Sequence, residues 1–84
     1  MKVLTKERAL MYLNIIKGAS DALVDNLVYA ALKGGDMTEE SIETMAASAV
    51  RTAIFVNMVM QELPKELVER AEENEKQRLK ELCK

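Results

Sequence analysis

The sequence predicts an all-α protein built on a long antiparallel helical hairpin, and three observations carry that expectation. Apolar residues make up 49% of the chain, yet it holds one Phe, two Tyr and no Trp. Any core is therefore assembled from Ala, Leu, Val, Ile and Met, which suits helices. The Val and Ile residues recur at steps of three and four rather than in alternating runs. Three Gly and one Pro are too few turn residues for a multi-stranded sheet. With 84 residues, the chain is expected to form one domain, residues 1–84, near the lower end of what folds unaided.

The stretch 38–63 is the one the rest packs around. Stepping by three and four picks out Ile42, Met45, Ala49, Ala53, Val56, Met60 and Leu63, one stripe of a helix. A second stripe runs through Thr44, Ser48, Arg51, Phe55, Met58 and Glu62. Its later half is apolar, so around Ala53 to Met60 the helix is hydrophobic nearly all round and is expected to be covered on two sides.

Before it, Leu4-Thr5-Lys6-Glu7 reads as a helix start, with Thr5 as cap and Leu4 as a staple onto the first turn. Ala9, Leu13, Ile16, Ser20, Leu23, Leu27 and Ala30 or Ala31 then hold one phase as far as Lys33, giving a helix over about 5–33. Gly18 interrupts it at a cost of about 1 kcal/mol relative to Ala. The rival boundary splits the helix at Lys17-Gly18-Ala19-Ser20, with Ser20 as a new cap. The back of this helix carries Met11, Ile15, Gly18, Ala22 and Tyr29, interrupted by Asp25.

Gly34-Gly35-Asp36-Met37-Thr38 is the clearest punctuation in the chain. The glycines supply a left-handed helix end, Asp36 or Thr38 caps the next helix, and Glu39 and Glu40 favour its positive terminus. Two arms, each on the order of 40 Å at 1.5 Å per residue, meet across this loop as an αα-hairpin. Pro64 closes the second arm and opens a third helix over about 65–83. That helix has few apolar positions, Leu67, Val68, Ala71, Leu79 and Leu82, among many charges.

Both arms thus show two apolar stripes where a lone hairpin needs one. Leaving large apolar side chains in water forgoes about 1.5–3 kcal/mol each, and such a surface marks an interface. The expected interface residues are Met11, Ile15, Gly18, Ala22, Ser48, Phe55 and Met58, with the small ones allowing close helix approach. The simplest assembly is a two-fold dimer forming a four-helix bundle. The alternative is that the third helix folds back and covers the hairpin.

Little in the chain favours catalysis. There is no His, which removes the usual general base and metal ligand. Cys83, beside the C-terminus, has no neighbouring base in sequence. Glu39, Glu40 and Glu43 read as a capping cluster rather than a metal site, and Gly34-Gly35 lacks the Lys-Ser/Thr of a phosphate loop. No catalytic residue, cofactor or metal is expected. Arg51 is the one charge deep in a small or apolar stripe and needs a partner. A salt bridge to Asp21 or Asp25 is one reading; an anion site made of Arg51, Lys17 and Tyr12 or Tyr29 is the other.

The 12 basic and 14 acidic residues are interspersed, for a net charge of −2. No basic face for nucleic acid is therefore expected. The longest uncharged apolar run, Thr52 to Met60, falls short of the ~20 residues of a membrane span. A single Cys and no apolar leader fit a reducing, cytoplasmic setting. The expected function is a non-enzymatic helical interaction protein that forms a homo-oligomer and binds a partner protein. An oligomer that sequesters a small anionic ligand, such as a nucleotide, between subunits is the alternative. In size and architecture the chain is similar to small helical accessory proteins of phages and plasmids that block or sequester host components, which implies an inhibitor-type role.

Overall fold

The computed structural model describes residues 3–83. Three helices follow one another: α1 over Lys6–Lys33, α2 over Glu39–Glu62 and α3 over Lys65–Leu82. The predicted boundaries hold to within about a residue because local chemistry sets each of them. Thr5 caps α1 by accepting a hydrogen bond from the Arg8 N–H at 3.1 Å. Leu4 is half-buried and lies beside Ala9, as a staple residue should. Thr38, rather than Asp36, caps α2 by accepting from the Ser41 N–H at 3.1 Å.

At the turn, Gly34 and Gly35 both take positive φ, 63° and 88°. The Gly35 N–H donates to the Ala30 carbonyl and the Gly34 N–H to that of Ala31, at 3.2 and 3.4 Å. This is a Schellman closure, and both glycines sit where a side chain would be strained. The chain reverses there, and α1 and α2 pack antiparallel along their length. Gly18 does not break α1, which runs unbroken through it.

The seam between the two arms has strict three-four spacing. On α1 it is Tyr12, Ile16, Ala19, Leu23, Asn26 and Ala30; on α2 it is Ser41, Met45, Ser48, Thr52, Phe55, Val59 and Glu62. These side chains are buried or half-buried, with Tyr12, Ala19 and Ser48 the most enclosed. Three of the polar members, Asn26, Ser48 and Thr52, satisfy themselves within their own helix. Asn26 Nδ2 donates to the Ala22 carbonyl at 2.8 Å, Ser48 Oγ to Thr44 at 3.1 Å, and Thr52 Oγ1 to Ser48 at 2.8 Å.

The third helix does not cover the hairpin. Leu63 is extended, φ −93° and ψ 154°, as a residue before proline prefers. Pro64 then starts α3 without a loop, its carbonyl accepting from the Leu67 and Val68 N–H groups. Among the described residues α3 touches only the end of α2 and makes no contact with α1. The result is a flat, bent plate of 47 × 38 × 14 Å, little thicker than one helix of about 10–12 Å. Its radius of gyration is 16.0 Å, against about 12 Å for a compact chain of this length.

Gly18 offers a clean test of the hairpin. A Cβ built on it meets nothing within 4 Å, so Gly18→Ala should raise stability by about 1 kcal/mol. That corresponds to a melting temperature about 4–8 °C higher by circular dichroism. A lower melting temperature would show that another helix approaches this spot in solution.

Candidate interaction surfaces

The seam phase decides which side chains remain in water. One position further round from the seam, on α1, come Leu10, Leu13, Lys17, Ser20, Val24 and Leu27; on α2 come Ile42, Ala46, Ala49, Ala53, Val56 and Met60. In an antiparallel pair these two edges lie side by side, so together they form one broad face of the plate. Leu10, Leu13, Val24, Leu27, Ile42 and Val56 are each exposed on it. Its one charge between Leu10 and Leu27 is Lys17, whose ammonium is held by Asp21 at 3.3 Å on the same helix.

The opposite face is mixed. It carries Met11, Ile15, Gly18, Ala22, Tyr29, Ile54 and Met58 along with Arg8, Asp25 and Arg51. Five of the seven expected interface residues, Met11, Ile15, Gly18, Ala22 and Met58, are brought together here. The other two face the seam instead: Ser48 is buried and Phe55 half-buried there. The expectation ranked stripes by hydrophobicity, and hydrophobicity does not reveal that self-bonded Ser and Thr side chains can point inward. The strongest apolar stripes, containing Leu13, Leu27, Ile42 and Val56, turn outward instead.

The three residues weighed as an anion site are not brought together: Tyr12 is in the seam, Lys17 on the broad apolar face and Arg51 on the mixed face. Tyr12 lies at the open end of the hairpin, 3% exposed, and its hydroxyl accepts from Arg8 Nη2 at 3.1 Å. Arg8 Nε donates to Glu62 Oε1, clasping the first turn of α1 to the last turn of α2. Lys17 is engaged by Asp21. Arg51 is exposed and has no ion-pair partner among the described residues, so neither Asp21 nor Asp25 neutralises it. It sits on the mixed face, where water solvates it and no buried partner is needed. A shallow cavity of about 350 Å³ borders both Tyr12 and Lys17, but its other walls are Leu4, Ala9, Leu13, Ile16 and Val59, an apolar lining that offers an anion nothing.

The clasp was not read from the sequence. Arg8 and Glu62 are far apart in the chain, and only the register of the folded hairpin brings them together. The hydrogen bond from Arg8 holds the Glu62 carboxyl below its usual range, and the same bond pushes the Arg8 guanidinium further up. The Tyr12 phenol is pushed up, first by the neighbouring Glu62 carboxylate and then by burial. Glu62 Oε2 is enclosed without a hydrogen-bond partner.

Among the described residues no group of three or more His, Cys, Asp or Glu is placed to hold a metal ion. By length and composition α2, with 24 residues and a window of mean hydropathy 1.2, is long and apolar enough to cross a membrane. No known protein family, curated protein or solved structure matches the chain.

The clasp predicts how stability varies with pH. Because the folded-state value of Glu62 is depressed, its contribution is present above about pH 4 and is lost as pH falls through the folded value. Because Tyr12 is raised, its contribution is present below about pH 10 and is lost as pH climbs above it. Melting curves across the pH range should show both losses. Glu62→Gln should flatten the acid limb and Tyr12→Phe the alkaline limb; limbs left unchanged would mean the clasp is open in solution.

Proposed function

We propose that the chain is a non-enzymatic helical interaction protein that assembles with copies of itself and binds a partner protein, as accessory or inhibitor proteins do. The observation that supports this reading is surface area. The chain exposes 6984 Å², whereas a compact monomer of 9.4 kDa exposes about 5,000 Å². The excess, about 2,000 Å² per chain, is what a large obligate interface removes from water.

The residue pattern agrees. Two helices that meet only each other need apolar residues along one narrow seam, but helices inside a bundle need an additional flank. Here that flank is the Leu13/Leu27/Ile42/Val56 face, apolar along both arms. It is the surface a further helix pair or a partner's helix would cover. We favour association in water, in the cytoplasm, over insertion into lipid. Arg51 lies near the middle of α2, and a charge at that depth of a bilayer is costly.

Sedimentation or light scattering at micromolar concentration should show a species heavier than one chain. Leu27→Glu or Val56→Glu, which charge the apolar face, should reduce that mass while helicity is retained, and Met58→Glu on the mixed face should leave it unchanged. A clean, soluble wild-type monomer would overturn the reading, and co-flotation of wild type with lipid vesicles would replace it with a membrane-surface role.

A further inference from the structure

The bend between α2 and α3 encloses an apolar groove of about 490 Å³, walled by Val3, Met60, Leu63, Leu67, Val68 and Ala71. Glu72 and Glu75 border it along α3. The stripe of α3 that lines the groove does not stop where the groove ends. From Val68 and Ala71 it continues in three-four steps through Glu75 to Leu79 and Leu82, which are 55% and 71% exposed. Lys76 and Arg78, both exposed, flank that outer end. One helix thus carries an acid-rimmed apolar groove at its start and an apolar ridge with basic flanks at its finish. It cannot join the two itself, because a straight helix of 18 residues holds its ends about 27 Å apart.

A second copy can. The stripe is symmetric about Glu75: Val68 and Leu82 lie equally far on either side of it in sequence, as do Ala71 and Leu79, and as do Glu72 and Arg78. Antiparallel pairing centred on Glu75 therefore sets apolar against apolar at both ends, and it brings Glu72, one position past the stripe, to the same edge as Lys76 of the second copy. At the centre each Glu75 already has its own Arg78 at 3.6 Å, which offsets the approach of two like charges. We propose that α3 pairs antiparallel with α3 of a second copy about a two-fold axis at Glu75. The Leu79–Leu82 end of each chain then seats in the other's groove. This rests on the reading that the chain works as an oligomer, and it assigns α3 a contact separate from the hairpin face.

Opposite charge swaps test the pairing. One variant makes the rim basic, Glu72→Lys with Glu75→Lys; the other makes the far end acidic, Lys76→Glu with Arg78→Glu. Each variant alone sets like charges at both contacts of a symmetric pair, so its solution mass should fall by half. Mixed in equal amounts, every basic rim meets an acidic end and every acidic rim a basic end, so mass should return. Recovery on mixing cannot come from charge pairs within one helix. Variants that keep the wild-type mass, or a mixture that does not recover, would overturn the proposal. If they do so while Leu27→Glu still dissociates the assembly, α3 pairing fails and hairpin association stands; a monomeric wild type sinks both. Should a charge variant lose helicity, Leu82→Glu carries the test: it must halve the mass, and an unchanged mass counts against the pairing.

Discussion

Serine, threonine and asparagine side chains that bond back to their own helix set the terms on which α1 and α2 meet. Ser48, Thr52 and Asn26 each donate to a carbonyl one turn earlier, so they face the neighbouring helix with no unsatisfied hydrogen-bonding demand. What they present across the seam is small and carbon-rich, and Ala19 adds to it. Helices lined this way approach closely, but they bury little apolar area in doing so. Among the described residues only Tyr12, Ala19 and Ser48 are buried.

That choice of seam has a direct consequence for the rest of the surface. A helix has a fixed angular spacing, so turning Ala19 and Ser48 inward turns Leu13, Leu27, Ile42 and Val56 outward on a common side. In a compact protein such residues supply most of the hydrophobic stabilisation, about 25 cal/mol for each Å² removed from water. Here they supply little of it within one chain. The clasp of Arg8 on Glu62 does not make up the difference, since Arg8 is half-exposed and surface ion pairs contribute about 0–1 kcal/mol. The clasp fixes register; it is a weak source of stability.

The parts of this architecture that were legible in the sequence are those governed by neighbours along the chain. Thr5, Thr38, Gly34-Gly35 and Pro64 each act on the residues next to them, so helix starts, ends and the reversal could all be placed. Seam phase is of a different kind, because it depends on how one helix is rotated about its axis relative to another. On α1 the expected and observed stripes share Ile16, Leu23 and Ala30 and differ in Ala9, Leu13, Ser20 and Leu27 against Tyr12, Ala19 and Asn26. Ranking by hydrophobicity selects the wrong edge. Arg51 was expected to be buried because its stripe was read as a second covered face; Ser48 and Phe55 of that stripe turn into the seam, whereas Arg51 stands at the solvated edge and its need for a partner disappears.

The geometry at Pro64 explains why the third helix leaves the hairpin uncovered. Folding back over α1 and α2 needs a connection whose backbone reverses direction, which αα-hairpins achieve with loops of about 2–5 residues in a few characteristic turn conformations. Between α2 and α3 there are only Leu63 and Pro64, and proline holds Leu63 extended. The chain can bend there but cannot double back, so α3 projects with its apolar stripe open on the inside of the bend. A sequence selected to fold as a compact monomer would carry a turn at this point and apolar residues spread along α3. This one has a stiff corner and a charged helix whose apolar positions are confined to its two ends, a distribution suited to meeting a helix of the same kind running the other way.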